Sequence, residues 1–473
     1  MSGYARKNTR CFTGGSLPGA REMRILVLTP YYWPEPMPLP HELSRGMMER
    51  GHEVLVITGF PNYPRGAIYE GYRQRLWQWD EVEGVKVLRL PLIPDHSLSA
   101  LRRSAYYMSL PLAASAIGPL LSGPADVIFV FDLITMCIPA WLIGLMRGAP
   151  FVYNLQDMFP ESLEALGISR GHMLYRAVGG FCGFLYKKAA AISVISPGFK
   201  KNLAGKGVPE EKVHVIYSWA DERIYRPVGR DERLARETGL GGRFNVMYAG
   251  NIGAAQGLWS VMEAARMLRA KGASGPGGIQ FVFVGEGSGK PALKRMAREA
   301  GLGNVRFIPG QPASRMADFF ALADVLLVSL TDAPLCEITI PLKTHSYLAC
   351  GKPVLMAARG DAAGLVSAAQ AGLVARPGDA ADLAGKVMDL YLMPARKRKK
   401  MGELGRDFYL KNLTAAAGIE RYERLFRQVA EDRLTGGLQA DGGFLSSGRR
   451  PYEKNEKIGA PERTGKCSGT RRY

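Results

Sequence analysis

The chain has 473 residues, which is long enough for two or three domains that each bury a core of their own. Its formal net charge of +19 indicates an anionic partner. The basic residues are spread along the chain without a helix-turn-helix, zinc-finger or aromatic RNA-binding signature, so we expect an anionic membrane surface or a phosphorylated substrate and no nucleic acid. Six cysteines without a CxxC pair argue against a disulfide framework and a structural zinc site, and they favour a reducing cytoplasm.

The amino-terminal segment differs in composition from the rest of the chain. Residues 1–22 are polar, glycine-rich and basic, and they lack the apolar core of a signal peptide, so we expect a disordered extension. Residues 23–29 then form a continuous apolar run, which is typical of a parallel strand covered on both faces.

A helix and a second strand come after this run. A proline- and aromatic-rich loop over 31–40 leads to a helix over 41–50 and to an apolar strand over 53–58. Strand, helix and strand form a βαβ unit, so we expect a doubly wound sheet. Ligands bind at the carboxyl ends of such strands, which places His41, at the helix start, at the mouth of a site. The alternative is that His41 is an ordinary helix residue.

Two apolar stretches raise the question of membrane insertion. Residues 127–146 reach spanning length but carry Asp132. Because an unpaired carboxylate is costly in lipid, we interpret this stretch as a strand over 127–131, a turn at Asp132 and a buried helix. Residues 105–121 contain two prolines and come after two arginines, and three interpretations stay open: a core helix, a helix in the membrane interface, or a span.

Two acidic residues come after a later strand. Residues 150–155 form the strand, and Asp157 and Glu161 lie just beyond it, which makes them site candidates. The alternative is that they cap and charge the start of a helix. Strand and helix patterns continue until a linker, so the first domain is expected to end near residue 225.

The same pattern restarts in the second half. A strand over 244–249 leads into a turn over 250–253 that contains two glycines, which let the backbone approach a phosphate closely. A GxxG turn alone is a weak motif. A later strand over 305–308 ends at Pro309 and Gly310. Two doubly wound halves predict an α/β fold of two facing domains with a ligand cleft between them.

Residues 338–355 carry the strongest anion-site pattern. A loop passes Pro341 into a short helix over 343–349, Gly351 ends that helix, and a buried strand comes next. The first turn of a helix presents unpaired N–H groups and a partial positive charge, to which Lys343 adds a full charge. We interpret this stretch as a phosphate cradle. The alternative is an ordinary helix–strand unit with a solvated lysine.

The carboxyl-terminal part is basic. Residues 394–400 are either a solvated helix face or a contact with phospholipid. A long amphipathic helix over about 416–429 is expected to end the fold, and the glycine-rich, charged tail to be disordered. The expected units are a first domain, a second domain, a final helix and a tail, over residues 23–225, 226–412, 413–430 and 431–473.

Nine motifs in order carry a resemblance to a known family. They are MRILVLTPYYWPE, GHEVLVIT, NLQDMFPES, SVISPGF, YAGNIGAAQGL, FVGEG, VRFIPGQP, ADVLLVSL and PLKTHSYLACGKPVL. Over about residues 23–428 the chain resembles the retaining family 4 glycosyltransferases. These have the GT-B fold, in which two Rossmann-like domains face each other across a cleft. The resemblance is strongest to bacterial enzymes of lipopolysaccharide, capsule and exopolysaccharide assembly.

The resemblance implies transfer of a sugar from a nucleotide-sugar to a polyprenyl-diphosphate-linked saccharide, on the inner face of the cytoplasmic membrane, without a cofactor or metal. The chain has no D-x-D motif, so no paired carboxylate is evident for holding a divalent ion. Charge on the leaving diphosphate must then be met by protein groups. The residues that fit this need are Gly250, Asn251, Gly253 and Lys343.

The resemblance also implies that residues 23–225 form the acceptor domain and residues 226–412 the nucleotide-sugar domain. His41, Asp157 and Glu161 are expected to touch the sugar and acceptor, with positioning and electrostatic roles rather than covalent catalysis. The nucleotide is expected beside Pro309 and Gly310.

Two positions depart from the family pattern. An arginine and a lysine-glycine pair of many members are replaced by Asn251 and a Gln-Gly pair, so we expect Lys343 to supply the missing positive charge. Two glutamates eight residues apart correspond to Ile338 and Ser346. We expect Glu337 to stand in for the first acid, and Ser346 or the backbone to contact the ribose.

Two other functions stay open. A nucleotide-sugar 2-epimerase of the same fold would release a free sugar without an acceptor, but it needs clustered acid–base residues, which are sparse here. A non-catalytic relative that holds a partner transferase at the membrane is favoured by the missing second glutamate. It would bind a nucleotide-sugar without turnover, or not at all.

Overall fold

The computed structural model describes residues 21–95, 100–273, 275 and 277–440. Most of the expected amino-terminal extension, and residues 441–473 of the expected tail, lie outside the described residues. The described chain is built on two sheets, one in each half.

An eight-stranded sheet organises the amino-terminal domain. Its strands are β1 (Arg24–Leu28), β2 (Glu53–Gly59), β3 (Gln78–Val82), β4 (Val85–Leu90), β5 (Val127–Phe131), β6 (Phe151–Leu155), β7 (Ala191–Val194) and β8 (Val213–Val215). The helices are α1 (Pro38–Glu49), α2 (Ala100–Leu121), α3 (Cys137–Arg147), α4 (Met173–Lys188) and α5 (Pro197–Gly205). The spatial order is β3-β4-β2-β1-β5-β6-β7-β8, and all pairings are parallel except that of β3 with β4.

A six-stranded parallel sheet organises the second domain. Its strands are β9 (Phe244–Ala249), β10 (Ile279–Val284), β11 (Val305–Ile308), β12 (Val325–Ser329), β13 (Val354–Ala357) and β14 (Gly372–Ala375), in the order β11-β10-β9-β12-β13-β14. The helices are α6 (Glu232–Thr238), α7 (Leu258–Ala270), α8 (Lys290–Glu299), α9 (Met316–Ala321), α10 (Pro334–Ile338), α11 (Leu342–Ala349), α12 (Gly360–Ala368), α13 (Ala380–Leu392), α14 (Ala395–Asn412) and α15 (Ala415–Ala440).

Neighbouring residues of a central strand serve two separate cores. In β1, Leu26 and Leu28 pack in a core with residues of α2, α3 and α4, whereas Ile25 and Val27 pack in a core with residues of α1 and α15. Successive side chains of a strand point to opposite faces of the sheet. Both faces are covered by helices, which explains why the strands read as continuous apolar runs.

The final helix returns to the first domain. In α15, the rings of Tyr422 and Phe426 lie 5.2 and 5.5 Å from the ring of Phe129 on β5. Asn154 Nδ2 on β6 donates to the Tyr422 hydroxyl at 2.8 Å. The carboxyl terminus of the fold is thereby fixed to the face of the first sheet that α1 also covers.

Helix α15 is longer than the sequence predicted. We expected it over about 416–429 and a disordered tail from 431, and this expectation is wrong for residues 431–440, which continue the helix. The added segment begins with Glu, Asp, Arg and Leu, most of which are good helix formers. Arg433 also lies against Gly148 of the first domain, so the extension has a tertiary contact.

Both apolar stretches belong to the first domain. Residues 127–146 fold as predicted, with β5, a turn at Asp132 whose φ is 62°, and then α3. Residues 105–121 lie within α2, where Tyr106, Leu110 and Ala114 are buried in the core. No helix in the ranges the structure describes is long and apolar enough to cross a bilayer.

The two domains touch through α5. Ser196 Oγ donates to the backbone oxygen of Ile338 at 2.5 Å, and the Gly198 N–H donates to Asp361 Oδ2 at 2.6 Å. A Cβ on Gly198 would meet Ile338 Cγ2 at 2.5 Å, so this contact leaves no room for a side chain. The expected α/β class with two Rossmann-like domains is confirmed.

Candidate active site

Two glycine loops of the second domain interlock where their strands end. The Gly250 N–H, after β9, donates to Val284 O at 2.9 Å, and the Ile252 N–H donates to Glu286 O at 2.8 Å. Gly285, after β10, has a φ of 147°, and a Cβ there would overlap the Gly250 oxygen. Only glycine permits this approach, so the loops form one close-packed rim at the carboxyl ends of the strands.

Lys343 faces this rim from the first turn of α11. Its Nζ donates to the Tyr248 hydroxyl at 2.5 Å and lies 3.8 Å from the centre of the Tyr248 ring. A Cβ on Gly250 would sit 3.1 Å from the same Nζ. The Gly250 N–H is already used within the rim, so what this glycine supplies is space for the lysine side chain.

The surroundings of Lys343 lack a compensating charge. Burial lowers the pKa of its ammonium group to about 7. No carboxylate in the described part of the chain forms an ion pair with it. A partly desolvated cation at a helix start is a site that an anion would complete.

Asn251 and Gly253 complete the loop after β9. Asn251 is exposed, and its backbone oxygen accepts a hydrogen bond from the Tyr248 hydroxyl, with 2.5 Å between the two oxygens. The Gly253 N–H donates to Gln256 Oε1 at 3.0 Å. The N–H of Gly253 can therefore bond a phosphate only if it first releases Gln256.

The predicted nucleotide residues lie on two sides of the rim. Pro309 and Gly310 come after β11, and the Gly310 N–H donates to Glu286 Oε1 at 3.2 Å. They are therefore adjacent to the loop after β10. Glu337 is exposed on α10, and Ser346 is buried in α11 with a hydrogen bond to Tyr225 of the interdomain linker. In this structure Ser346 faces the linker rather than an open cleft.

His41 lies one helical turn inside α1, not at its start. The helix begins at Pro38, because proline has a preset φ and needs no N–H partner there. His41 Nδ1 is 3.3 Å from the Tyr32 hydroxyl and its Nε2 is 3.3 Å from Glu83 Oε2. Burial lowers the pKa of the ring, and the carboxylate of Glu83 opposes that change. Both ring nitrogens are occupied, which favours a positioning role.

Asp157 has a carboxylate neighbour that the sequence analysis did not select. Asp132 comes after β5 and Asp157 after β6, and these strands pair in parallel. Burial raises the pKa of Asp132, and the charge of Asp157 raises it further. Desolvation by the surrounding protein raises the pKa of Asp157 too, although part of its side chain stays at the surface. The available signal was position, since each aspartate comes just after a buried parallel strand.

Glu161 is held by two partners. Lys206 Nζ lies 2.8 Å from its Oε2, and Asn202 Nδ2 donates to its Oε1 at 3.1 Å. Burial would raise the pKa of this carboxyl group, but the Lys206 bond and charge keep it below its ordinary value. This ion pair joins the loop after β6 to α5, so the structure favours a structural role for Glu161.

No three potential metal ligands lie together in residues 21–95, 100–273, 275 and 277–440. The two domains carry different side chains at the carboxyl ends of their strands, with glycines and Lys343 in the second domain and Asp132 and Asp157 in the first. Two Rossmann-like domains of this kind define a doubly wound α/β protein.

Comparison with known proteins identifies the family. The model of the glycosyl transferase 4-like domain matches residues 40–219, and that of glycosyl transferases group 1 matches residues 231–408. The chain belongs to the family 4 glycosyltransferases of the GT-B fold, which confirms the resemblance drawn from its motifs.

Curated relatives and solved structures agree with this assignment. The chain is 29% identical to the putative colanic acid biosynthesis glycosyl transferase WcaI of Escherichia coli over 70% of this chain and 82% of the relative. It is 25% identical to the probable glycosyltransferase WbjE of Pseudomonas aeruginosa over 47% of this chain and 54% of that protein. Anabaena HepE in complex with UDP has the same fold, with a TM-score of 0.65 and 16% identity over 86% of this chain and 100% of HepE.

Proposed function

We propose that this enzyme transfers a sugar, with retention of anomeric configuration, from a nucleotide-sugar to a polyprenyl-diphosphate-linked saccharide in bacterial surface polysaccharide biosynthesis. The names of the E. coli and P. aeruginosa relatives support a role in this class of pathway for a glycosyltransferase. The complexes of HepE with UDP and with UDP-glucose support a nucleotide-sugar donor. The acceptor implies an enzyme that works on the inner face of the cytoplasmic membrane.

The observation that carries the proposal is the position of Lys343. Its ammonium group is partly buried beside Gly250, at the start of a helix, without a carboxylate partner in the described chain. A diphosphate placed there would restore full protonation of the lysine and would meet the positive end of α11.

The same geometry supports catalysis by charge stabilisation. When the bond between the sugar and the diphosphate breaks, negative charge grows on the departing oxygen, and a preplaced cation stabilises that charge without reorganisation. Lys343 and the helix start supply this charge, so the proposal needs neither a metal nor a cofactor. Asp157 would orient the acceptor hydroxyl, and His41 would hold the wall of the acceptor site.

A binding panel tests the donor site. Thermal unfolding is measured with UDP-, GDP-, TDP- and CMP-sugars for the wild type, for Lys343→Ala and for Lys399→Ala, an exposed lysine on α14. A donor at about 100 times its Kd should add about 2.7 kcal/mol of stability. We expect one nucleotide to stabilise the wild type and Lys399→Ala but not Lys343→Ala. Failure of every nucleotide would overturn the donor site and favour a non-catalytic scaffold.

A product assay separates transfer from epimerisation. The selected nucleotide-sugar is incubated with and without a bacterial lipid extract that contains polyprenyl-linked saccharides. Transfer predicts labelled lipid and consumption of the donor that depends on the extract. Release of a free epimerised sugar in the absence of the extract would instead identify a 2-epimerase.

A further inference from the structure

The outer surface of the first domain is unusually apolar on the side covered by α2, α3 and α4. These helices pack on the same core face of the sheet, so they form one continuous layer. Their exposed large apolar side chains are Tyr107, Leu112, Leu120, Leu145, Met146, Met173, Leu174, Phe181 and Phe184. We call this layer the α2–α4 face.

Helix α4 shows the pattern most clearly. Cys182, Leu185 and Tyr186 point into the core, as an amphipathic helix requires. The opposite side should be polar, but Leu174, Ala177, Phe181 and Phe184 form an exposed stripe at helical spacing. Met173, at the start of the helix, is 82% exposed. A contiguous apolar surface of this kind on a folded domain marks an interaction site.

The three helices of this face carry charges of one sign, and the carboxylate that lies against them, Glu164, accepts hydrogen bonds from Arg170 Nε at 2.9 Å and from the Tyr175 hydroxyl of α4 at 3.1 Å. Helices α2, α3 and α4 contain no Asp or Glu, and they carry arginine or lysine at positions 102, 103, 147, 176, 187 and 188. The other face of the same sheet is different, because α1 and α15 carry glutamate or aspartate at positions 42, 49, 420, 423, 431 and 432. Helices α2, α3 and α4 combine exposed apolar side chains with basic residues and have no acidic residue of their own, which is the composition of surfaces that lie on anionic lipid.

A pocket at the edge of this face adds a place for a phosphate. It has a volume of about 300 Å³ and is lined by Trp141, Leu145 and Phe151 together with the cations Lys188 and Arg433. Lys188 Nζ lies 5.3 Å from the centre of the Trp141 ring and 5.6 Å from that of Phe184. The exposed stripe of α4 thus continues into a pocket with apolar walls and two positive charges.

We propose that the α2–α4 face is the surface with which this protein lies on an anionic bilayer, with a phospholipid headgroup phosphate in the pocket between Lys188 and Arg433. This inference rests on the proposed lipid-linked acceptor and deepens it by naming the face that meets the lipid. It also bears on two stretches whose contact with lipid the sequence left open, residues 105–121 and the basic run over 394–400. The face that contains residues 105–121 in α2 docks, whereas the basic run over 394–400 on α14 stays solvated.

Sedimentation with vesicles tests the inference. The full chain is mixed with vesicles of phosphatidylcholine alone or phosphatidylcholine with phosphatidylglycerol, and the bound fraction is measured. We expect binding to the anionic vesicles only. Lys187→Gln with Lys188→Gln should lower the partition coefficient by about 30-fold, because each lysine near an anionic surface contributes about fivefold. Phe181→Ser with Phe184→Ser should lower it by at least about tenfold.

Matched controls keep the test specific. Trp259→Ser removes an aromatic side chain of similar exposure from α7 of the other domain, and Lys399→Gln with Lys400→Gln removes two charges from the 394–400 run. Both controls should bind as the wild type does. Equal loss in the controls, or no binding of the wild type to anionic vesicles, would overturn the inference. So would a dimer in light scattering that the Phe181→Ser, Phe184→Ser variant abolishes, because the face would then join two copies of the chain.

The vesicle result is separable from the proposed function. The lysine and phenylalanine variants of α4 lie on the outer surface of the first domain, so stabilisation by the nucleotide-sugar should be unchanged in both. Loss of vesicle binding with retained donor binding would support both the inference and the donor site. Retained vesicle binding with no donor binding would overturn the transferase proposal alone.

Discussion

The two domains of this protein carry different ionisable groups at the carboxyl-terminal edges of similar sheets, a lysine in one domain and two aspartates in the other. At the carboxyl ends of its central strands, the second domain presents glycine loops and Lys343. At the carboxyl ends of β5 and β6, the first domain presents Asp132 and Asp157. A parallel sheet fixes where a ligand binds, and the side chains at the strand ends decide which ligand fits there. In the function that we propose, the second domain binds the diphosphate and the first binds hydroxyl groups.

The largest effect should come from removing the cation. Lys343→Ala should lower kcat/KM for sugar transfer by roughly a hundredfold or more, because loss of one preplaced donor to developing charge typically costs about 3 kcal/mol. Steady-state transfer with a labelled donor measures this. Lys399→Ala is the control. Equal rates for the two variants would contradict the role of Lys343 in stabilising the departing diphosphate.

The carboxylate side should respond differently. Asp157→Asn should lower kcat by roughly tenfold to a hundredfold while donor binding stays intact, because its role is on the acceptor side of the cleft. The measurement is kcat beside the Kd of the nucleotide-sugar. If the Kd weakens as much as kcat falls, the two domains do not divide the substrates in the way we infer.

The interlocked loops should be sensitive to a single methyl group. Gly285→Ala should destabilise the protein by about 1–3 kcal/mol and weaken donor binding, because its φ of 147° and the overlap with the Gly250 oxygen leave no room for a side chain. Gly385→Ala in α13, where nothing lies within 4 Å, should instead stabilise by about 0.5–1 kcal/mol. Denaturant unfolding of both variants decides the point, and a neutral Gly285→Ala would contradict the close packing of the rim.

The smallest expected effect is the uptake of a proton by Lys343 when the donor binds. Burial lowers the pKa of Lys343 to about 7 in the free enzyme, and a bound diphosphate should raise it. Donor binding should therefore take up close to one proton at pH 8, and affinity should fall as pH rises above about 7 until the pKa of the complex is reached. Calorimetry in two buffers of different ionisation enthalpy measures the uptake. Lys343→Met should abolish it, and uptake that persists in that variant would assign the proton to another group.

The sequence analysis did not predict β3 and β14, which are edge strands of their sheets. Local patterns were enough for the other strands, the glycine turns and the place of Lys343 at a helix start. Each depends on a few neighbouring residues: an apolar run, two glycines after a strand, or a lysine in the first turn of a helix. The start of α1 was misplaced because the chain enters the helix at Pro38, which puts His41 one turn further along. Helix α15 was ended too early because glycines after Arg433 suggested a stop.

Tertiary contacts account for what the sequence did not reveal. Asp132 becomes a neighbour of Asp157 because β5 pairs with β6, and the sequence alone did not predict which strands pair. Gln256 takes the N–H of Gly253, and Ser346 turns to Tyr225, through contacts that depend on the packed loops and linker. The sequence therefore indicated which segments carry Gly253 and Ser346, but it did not indicate which groups these residues bond to.

The most direct test of the central claim is a structure with the nucleotide-sugar that the thermal panel selects. We predict that the diphosphate lies at the start of α11, with an oxygen within hydrogen-bond distance of Lys343 Nζ and beside Gly250. A diphosphate bound away from α11, with Lys343 still directed only at Tyr248, would contradict the account.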